Sequence, residues 1–344
     1  MHIISLDNLK KLRGEAKFET IPLSIDFEIP DYHNSLITPD GEIYLTGGQD
    51  PKDLNKKFRE VYAVSFAKKT LIQKSSMITP RDSHALCYFK GHLYVIGGIT
   101  INSQGKKTVT NKCEKYNIKD NKWQEIADLT LPVCNHSATV FQNKYIFCFG
   151  GRLLPNKLSN NILRYSLDKD EWLKIEVRPQ IQTQNKLSLT SQATCYQINE
   201  GQIFIFGGYQ ADRNISSQSF LFEYCAASND VELKPKSSLK EDMEENKSFL
   251  NFSSKENERK KGSGKRPPRK KEGGITGKKD ICIIKGLNKK NLPHAAPFWD
   301  KQVIVDKGKI YCLQNVTMPN DPKLSYSTTR RILVFDGEKW TSLN

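Results

Sequence analysis

The sequence lacks most features that assign a chain to a class at sight. No two of its eight cysteines (Cys87, Cys113, Cys134, Cys148, Cys195, Cys225, Cys282, Cys312) lie closer than fourteen residues, which excludes a CxxC zinc knuckle or redox pair. Several sit inside apolar runs (LCYF, FCFGG, IYCL), where a thiol acts as a small buried hydrophobe; a reducing compartment fits this usage. Methionine is scarce at four residues, and no apolar stretch nears the roughly eighteen residues of a membrane span. The start, MHIISLDNLKKLRG, has no basic region followed by a long apolar run, so a secretory signal is not expected. GxSxG, HExxH and phosphate-loop motifs are missing as well. The expectation is a cytoplasmic protein without membrane contact.

What is present favours strands. Sixteen Phe and thirteen Tyr accompany abundant Ile and Val, and 344 residues suffice for a single large all-β domain. The formal charge of +15 is uneven: residues 254–279 hold eleven Lys or Arg against three Glu, a net of +8.

One pattern recurs. GEIYLTGG ends at Gly48, GHLYVIGG at Gly98, NKYIFCFGG at Gly151 and GQIFIFGG at Gly208, spaced 50, 53 and 57 residues apart. A fifth copy, KGKIYCLQN, has Gln314-Asn315 in place of the doublet. Fourteen to eighteen residues beyond each doublet stands Tyr62, Tyr116, Tyr165 or Tyr224, and seven further on come Trp123 and Trp172 in two copies, Lys69 and Val231 in the others. Ahead of the doublets an apolar run (ALCYF, ATVFQ, ATCYQ) passes through a tight turn into the next strand, so each copy reads as four short antiparallel strands.

The unit resembles the kelch repeat, whose signature is an apolar strand ending in Gly-Gly, then a spaced Tyr and Trp. The likeness covers about residues 31–234 and 298–343 and implies an all-β propeller with four antiparallel strands per blade. In that fold Gly47, Gly48, Gly97, Gly98, Gly150, Gly151, Gly207 and Gly208 allow positive φ and close backbone approach, so replacing Gly150 or Gly151 should harm folding before activity. Tyr62, Tyr116, Trp123, Tyr165, Trp172, Tyr224 and Trp340 fill the wedges between blades. HIISLD and KFETIPL near the start read as the outer half of a further blade, which gives six; the 107 residues from Gly207 to Gln314 span about two periods and leave seven as the alternative. Asp280–Lys285 (DICIIK) is a candidate for the missing inner strands. The division expected is 1–234 for blades, the first one partial, 235–280 for a disordered charged insertion at a blade junction, and 281–344 for the closing blade or blades.

Function is expected to lie in loops. In kelch domains the loops after each doublet and those between blades share one face. The net charges of residues 49–60, 99–112, 152–162, 209–219 and 315–331 are +1, +3, +2, 0 and +2. Arg81, Lys106, Lys107, Arg152, Lys157, Arg178, Arg213, Arg330 and Arg331 are the candidates for contacting an acidic or extended segment of a partner protein. The expected role is a non-enzymatic scaffold or adaptor. Relatives that serve as ubiquitin-ligase adaptors carry a helical dimerisation domain before the propeller, so this chain is either a bare scaffold subunit or incomplete at its N-terminus, which the half-blade at Met1 favours. The rival reading gives the basic insertion a nuclear-import role around Lys260–Lys271, or weak, unspecific nucleic-acid binding without aromatic stacking. An enzyme using the axial channel ranks third. His33, His84 and His136 fall thirteen or fourteen residues before their doublets. Periodicity assigns them hydrogen bonding rather than a metal, and no cofactor is expected.

Overall fold

The computed structural model describes residues 2–3, 19–20, 23–154, 157–175, 189–212, 214, 216, 218–225, 281–286, 303–306, 309–317, 328–335 and 340–343. The chain divides into a unit of residues 1–224 with 282–344 and a unit of residues 225–281. Only the end residues of the second, Cys225 and Ile281, are described, each as the end of a strand.

Every regular element among the described residues is a strand. β1 (His2–Ile3) and β2 (Glu19–Thr20) form an antiparallel pair. The first four-stranded sheet is β3 (Asn34–Ile37), β4 (Ile43–Gln49), β5 (Lys57–Ser65) and β6 (Thr70–Lys74), paired in that order. The second opens with β7 (Ala85–Phe89) and β8 (His92–Ile96). A separate hairpin of β9 (Ile99–Ile101) and β10 (Lys107–Val109) follows, before β11 (Cys113–Asn117) and β12 (Lys122–Ile126) complete the sheet. The third repeats this plan with β13 (Ser137–Phe141), β14 (Tyr145–Phe149), the hairpin β15 (Arg152–Leu154) and β16 (Lys157–Leu158), then β17 (Ile162–Ser166) and β18 (Glu171–Ile175). The fourth is β19 (Thr194–Asn199), β20 (Gln202–Phe206), β21 (Ser219–Cys225) and β22 (Ile281–Gly286). The fifth is β23 (Val303–Asp306), β24 (Lys309–Thr317), β25 (Thr328–Phe335) and β26 (Trp340–Leu343). The expected all-β, antiparallel, four-stranded unit is what the chain forms.

Two expectations are corrected by this order. Asp280–Lys285 is a candidate for inner strands of a further blade, but its described residues, 281–285, lie in β22, the fourth strand of the fourth sheet. The insertion therefore interrupts one sheet between its third and fourth strands rather than entering at a blade junction. Residues 226–280 separate β21 from β22 in the sequence. The insertion itself lies outside the described residues.

Sheets pack face to face through their apolar sides. The first strands β3, β7, β13 and β19 lie next to one another in chain order. One core layer joins the first and second sheets through Tyr44, Val61, Met77, Leu93, Val95 and Tyr116. Another joins the second and third through Tyr94, Ile96, Ile146, Leu163, Tyr165 and Trp172. Strands β8, β14 and β20 are buried at four successive positions, which is why they read as unbroken apolar runs. β12 exposes most of its length and reads as polar.

The repeat also builds a clamp at the outer edge. The turn residue Asn121 accepts from the Ser75 amide at 2.9 Å and from the Tyr116 hydroxyl at 2.6 Å, while Trp123 Nε1 donates to the Ser75 carbonyl at 2.7 Å. One repeat later, Asp170 accepts from the Ala127 amide at 2.8 Å and the Tyr165 hydroxyl at 2.7 Å, and Trp172 Nε1 donates to the Ala127 carbonyl at 3.0 Å. Each Tyr–Asx–Trp set thus holds both backbone groups of one residue in the preceding sheet. In the first sheet Lys69 stands where Asn121 and Asp170 do and Thr70 follows it: the Ser24 amide donates to the Lys69 carbonyl at 2.7 Å and the Thr70 hydroxyl to the Ser24 carbonyl at 2.8 Å. Ser24 thus makes with Lys69 and Thr70 the same kind of two-bond contact that Ser75 and Ala127 make with their clamps. In the fifth sheet the register Phe335↔Trp340 matches Tyr116↔Trp123 and Tyr165↔Trp172.

The doublets serve the joint on the other side. The amides of Gly48, Gly98 and Gly151 donate to the carbonyls of Arg81, Val133 and Thr190 in the linkers to the following sheets, at 2.9, 2.9 and 3.1 Å. At Gly97, with φ of +58°, a Cβ would run into the Val133 carbonyl oxygen and come within 3.1 Å of His136 Cε1. A side chain there would push the linker off the strand end.

Candidate functional site

The strand register defines one end of the sheets as the loop face. Thr46, just before the first doublet, pairs with Asn34 at the start of β3 and with Val61 of β5, and Val61 pairs with Lys74 at the end of β6. The doublet, the post-doublet loop and the linker to the next sheet therefore emerge together, as expected.

Across this face runs a ladder that residue types alone did not reveal. Tyr32, Ser83, Asn135 and Gln192 each precede a first strand, and all four have positive φ, between +53° and +57°. Ser83 N–H donates to the Tyr32 carbonyl at 3.2 Å, Asn135 N–H to Ser83 at 2.8 Å and Gln192 N–H to Asn135 at 2.7 Å. The Gln192 side-chain amide adds a bond to Asn135 Oδ1 at 3.0 Å. Only Asn135 is a residue type that favours this conformation, so the signal in the sequence is faint.

Arg81 is a correction. A lone arginine in a loop suggests a surface cation, yet Arg81 is fully buried, at 0% exposure. Its guanidinium meets Glu114 at 2.5 Å and donates to the carbonyls of Gly97 at 2.8 Å and Lys112 at 2.6 Å. Glu114 in turn accepts from the amides of Ile78 and Thr79 at 2.7 and 2.9 Å. Arg81 fastens the first sheet to the second and cannot reach a partner. The following residue, Asp82, makes a second buried ion pair with Lys57 at 2.6 Å, with side-chain exposures of 3% and 2%. Lys57 Nζ also donates to Gln49 Oε1 at 2.8 Å and the Leu54 carbonyl at 2.9 Å. Lys57, Asp82 and Glu114 escaped the sequence reading; the adjoining Arg81-Asp82 pair beside a core strand was the available hint.

The other cations divide by sheet. In the first loop Lys52 pairs with Glu28, Lys56 with Asp50 and Lys57 with Asp82. Backbone N–H from Lys52 leads the causes that hold the Asp50 carboxyl below its ordinary value, followed by the Lys56 side chain. Lys106 and Lys107 lie exposed at the tip of the β9–β10 hairpin, where Lys107 pairs with Ile101, and Lys157 lies exposed on β15–β16. None of the three has an ion-pair partner among the described residues. Arg152 on β15 is half-buried and reaches the fourth sheet at Ser191 Oγ, 3.2 Å, and the Gln210 carbonyl, 3.5 Å. Lys112, later in the second loop, pairs with Asp128, whose hydrogen bond and charge raise its pKa. Among the described residues of this face, the exposed lysines without an ion-pair partner are thus those on the hairpins of the second and third sheets. Arg178 and Arg213 lie outside the described residues. The backbone of Arg330 and Arg331 pairs with Asn315 and Gln314, at the place of the doublet in the fifth sheet.

His84 and His136 bridge sheets, while His33 bonds locally. His84 Nε2 shares a 2.7 Å hydrogen bond with the Thr46 hydroxyl of the first sheet, His33 Nδ1 lies 2.7 Å from the Pro30 carbonyl, and His136 is buried against Gly97 and Gly151. No group of three or more His, Cys, Asp or Glu among the described residues is arranged to hold a metal ion. The Cys87, Cys113 and Cys148 thiols are buried, and desolvation raises all three, Cys113 to about 12. No helix among the described residues is long and apolar enough to cross a membrane.

Comparison with known proteins agrees with this architecture. A family model described as the Attractin/LZTR1 beta-propeller matches residues 43–247. Beta-scruin of Limulus polyphemus is 34% identical over 175 residues, which are 47% of this chain and 18% of that protein. Kelch-like protein 41a of Danio rerio is 25% identical over 193 residues, 55% of this chain and 30% of the relative. Kelch repeat protein M-T8 of Myxoma virus (strain Lausanne) is 24% identical over 172 residues, 49% of this chain and 30% of the relative. The chain spans less than a third of the length of these relatives.

Proposed function

The chain belongs to the Attractin/LZTR1 beta-propeller family and is a kelch-type propeller, and from that premise we propose a non-enzymatic protein-interaction module whose loop face takes an acidic, extended segment of another protein. The observation that carries this reading is the charge on two neighbouring hairpins, where Lys106, Lys107 and Lys157 are exposed and unpaired among the described residues. Like charges on adjacent rigid loops steer an oppositely charged partner and fix its register. Binding rather than catalysis also suits the buried thiols, which stay protonated, because a nucleophile must ionise and be reached.

The test combines Lys106→Glu, Lys107→Glu and Lys157→Glu and measures, by fluorescence anisotropy, capture of a twelve-residue glutamate-rich peptide. Because these side chains are exposed, the melting temperature should hold while affinity drops by roughly tenfold and its salt dependence flattens. Unchanged capture by the triple variant overturns the reading. Should deletion of residues 254–279 abolish capture instead, the acidic partner belongs to the basic insertion.

A further inference from the structure

Resting on that reading, we infer that the partner segment has two parts: a bulky apolar side chain that seats over the first sheet, and carboxylates that follow it onto the hairpins of the second and third. The loop face is not uniform. Tyr32 and Leu54, 54% and 52% exposed, are the two most exposed large apolar side chains among the described residues, and both lie on this face in the first sheet. Their backbones are braced by one chain of bonds. The Leu54 carbonyl accepts from Lys57 Nζ, Lys57 pairs with Asp82, and the next residue, Ser83, donates its amide to the Tyr32 carbonyl. The loop that carries Leu54 is closed by Asp50, which accepts from the Lys52 and Asp53 amides at 2.8 and 3.3 Å and from Lys56 Nζ at 3.1 Å.

The three lysines of that loop are all ion-paired, so the first sheet adds exposed apolar side chains but no unpaired lysine, while the hairpins of the next two sheets carry the unpaired lysines. Asp82 links the halves, since it pairs with Lys57 and also bridges Ile99 at the root of β9. Each rung of the ladder spans roughly 4.8 Å and an extended chain advances about 3.3 Å per residue, so a segment lying along it passes from the first to the third sheet in about three residues. The matching segment is extended, with one large apolar residue about three positions from a run of Asp or Glu. Exposed apolar side chains on a pre-ordered loop favour such an anchor because little ordering entropy is lost on binding.

The experiment uses two fluorescein-labelled ten-residue peptides, one with four glutamates in Gly/Ser and one in which a Leu-Trp pair stands three residues before the glutamates. Binding is measured to the native chain, to Leu54→Ser, and to Leu54→Ser with Tyr32→Asn. Asparagine is chosen because it accepts the positive φ of position 32. The native chain is expected to bind the apolar–acidic peptide roughly fivefold more tightly than the purely acidic one, and the double variant to bind both alike. Leu54→Ser alone should remove part of the preference, and it serves as the test if the double variant melts early. Equal affinity of the native chain for the two peptides, or a preference that survives in Leu54→Ser and in the double variant, overturns the inference while leaving the charge reading intact. Failure of the native chain to bind the purely acidic peptide overturns both.

Discussion

Gly97 and Gly105 have φ of +58° and +73°, yet only Gly97 faces a neighbour; around Gly105 nothing lies within 4 Å of a notional Cβ. Gly105→Ala is therefore expected to cost about 1 kcal/mol, the strain of a side chain at positive φ. Gly97→Ala adds displacement of the Val133 linker and should cost about 3 kcal/mol or more, read from urea midpoints. Equal costs would mean that the doublet serves backbone conformation alone. Arg81 supplies the second contrast. Arg81→Met strands the Glu114 carboxylate in the core and should cost about 3–5 kcal/mol, whereas adding Glu114→Gln should recover part of the loss. A variant with reduced partner binding and an unchanged midpoint would return Arg81 to the surface. The doublets were legible because glycine has few reasons to recur in strands; the burial of Arg81 was not, since an isolated cation in a loop gives no sign of the distant Glu114 that receives it.

At the scale of the element, the outer clamp makes Asn121 more than a turn former. Asn121→Ala removes the acceptor of Ser75 and Tyr116 and places alanine at φ of +51°; Asn121→Gly removes the acceptor alone. The alanine variant should be less stable than the glycine variant by about 1 kcal/mol, and both less stable than the parent by about 1 kcal/mol or more, in the same urea titration. If glycine matches the parent, the clamp contributes nothing and the turn conformation is all that matters. The Tyr and Trp of this clamp were visible as a seven-residue spacing, since β11 and β12, like β17 and β18, are joined by short turns. β22 was not visible. Fifty-five residues separate Cys225 from Ile281, so the spacing that marked the outer strands of the second and third sheets fails there.

For the whole molecule, the buried tyrosines and thiols act in one direction with pH. Burial raises Tyr44, Tyr94, Tyr116 and Tyr165 above 10.0, with Tyr94 at about 12, and the hydrogen bonds to Glu42 and Asp170 add to Tyr44 and Tyr165. Cys87, Cys113 and Cys148 move upward from 9.0 for the same first cause. A folded pKa above the unfolded one gives stability that is complete below the unfolded value and is lost as pH rises toward the folded value. The urea midpoint of the native chain should be insensitive to these groups at pH 7 and fall steeply above about pH 9, with the tyrosinate absorbance of the buried rings appearing together with unfolding, after that of exposed tyrosines such as Tyr32. Full tyrosinate absorbance well before unfolding would show these rings to be open to solvent. The sequence by itself determined the repeating unit, because strand propensity, paired glycines and spaced aromatics are local and recur with each copy. The tertiary structure alone decided which charges remain at the surface. Burial depends on residues far away in the chain, so Arg81, Lys57 and Asp82 became inter-sheet fasteners while Lys106, Lys107 and Lys157 stayed exposed on their hairpins.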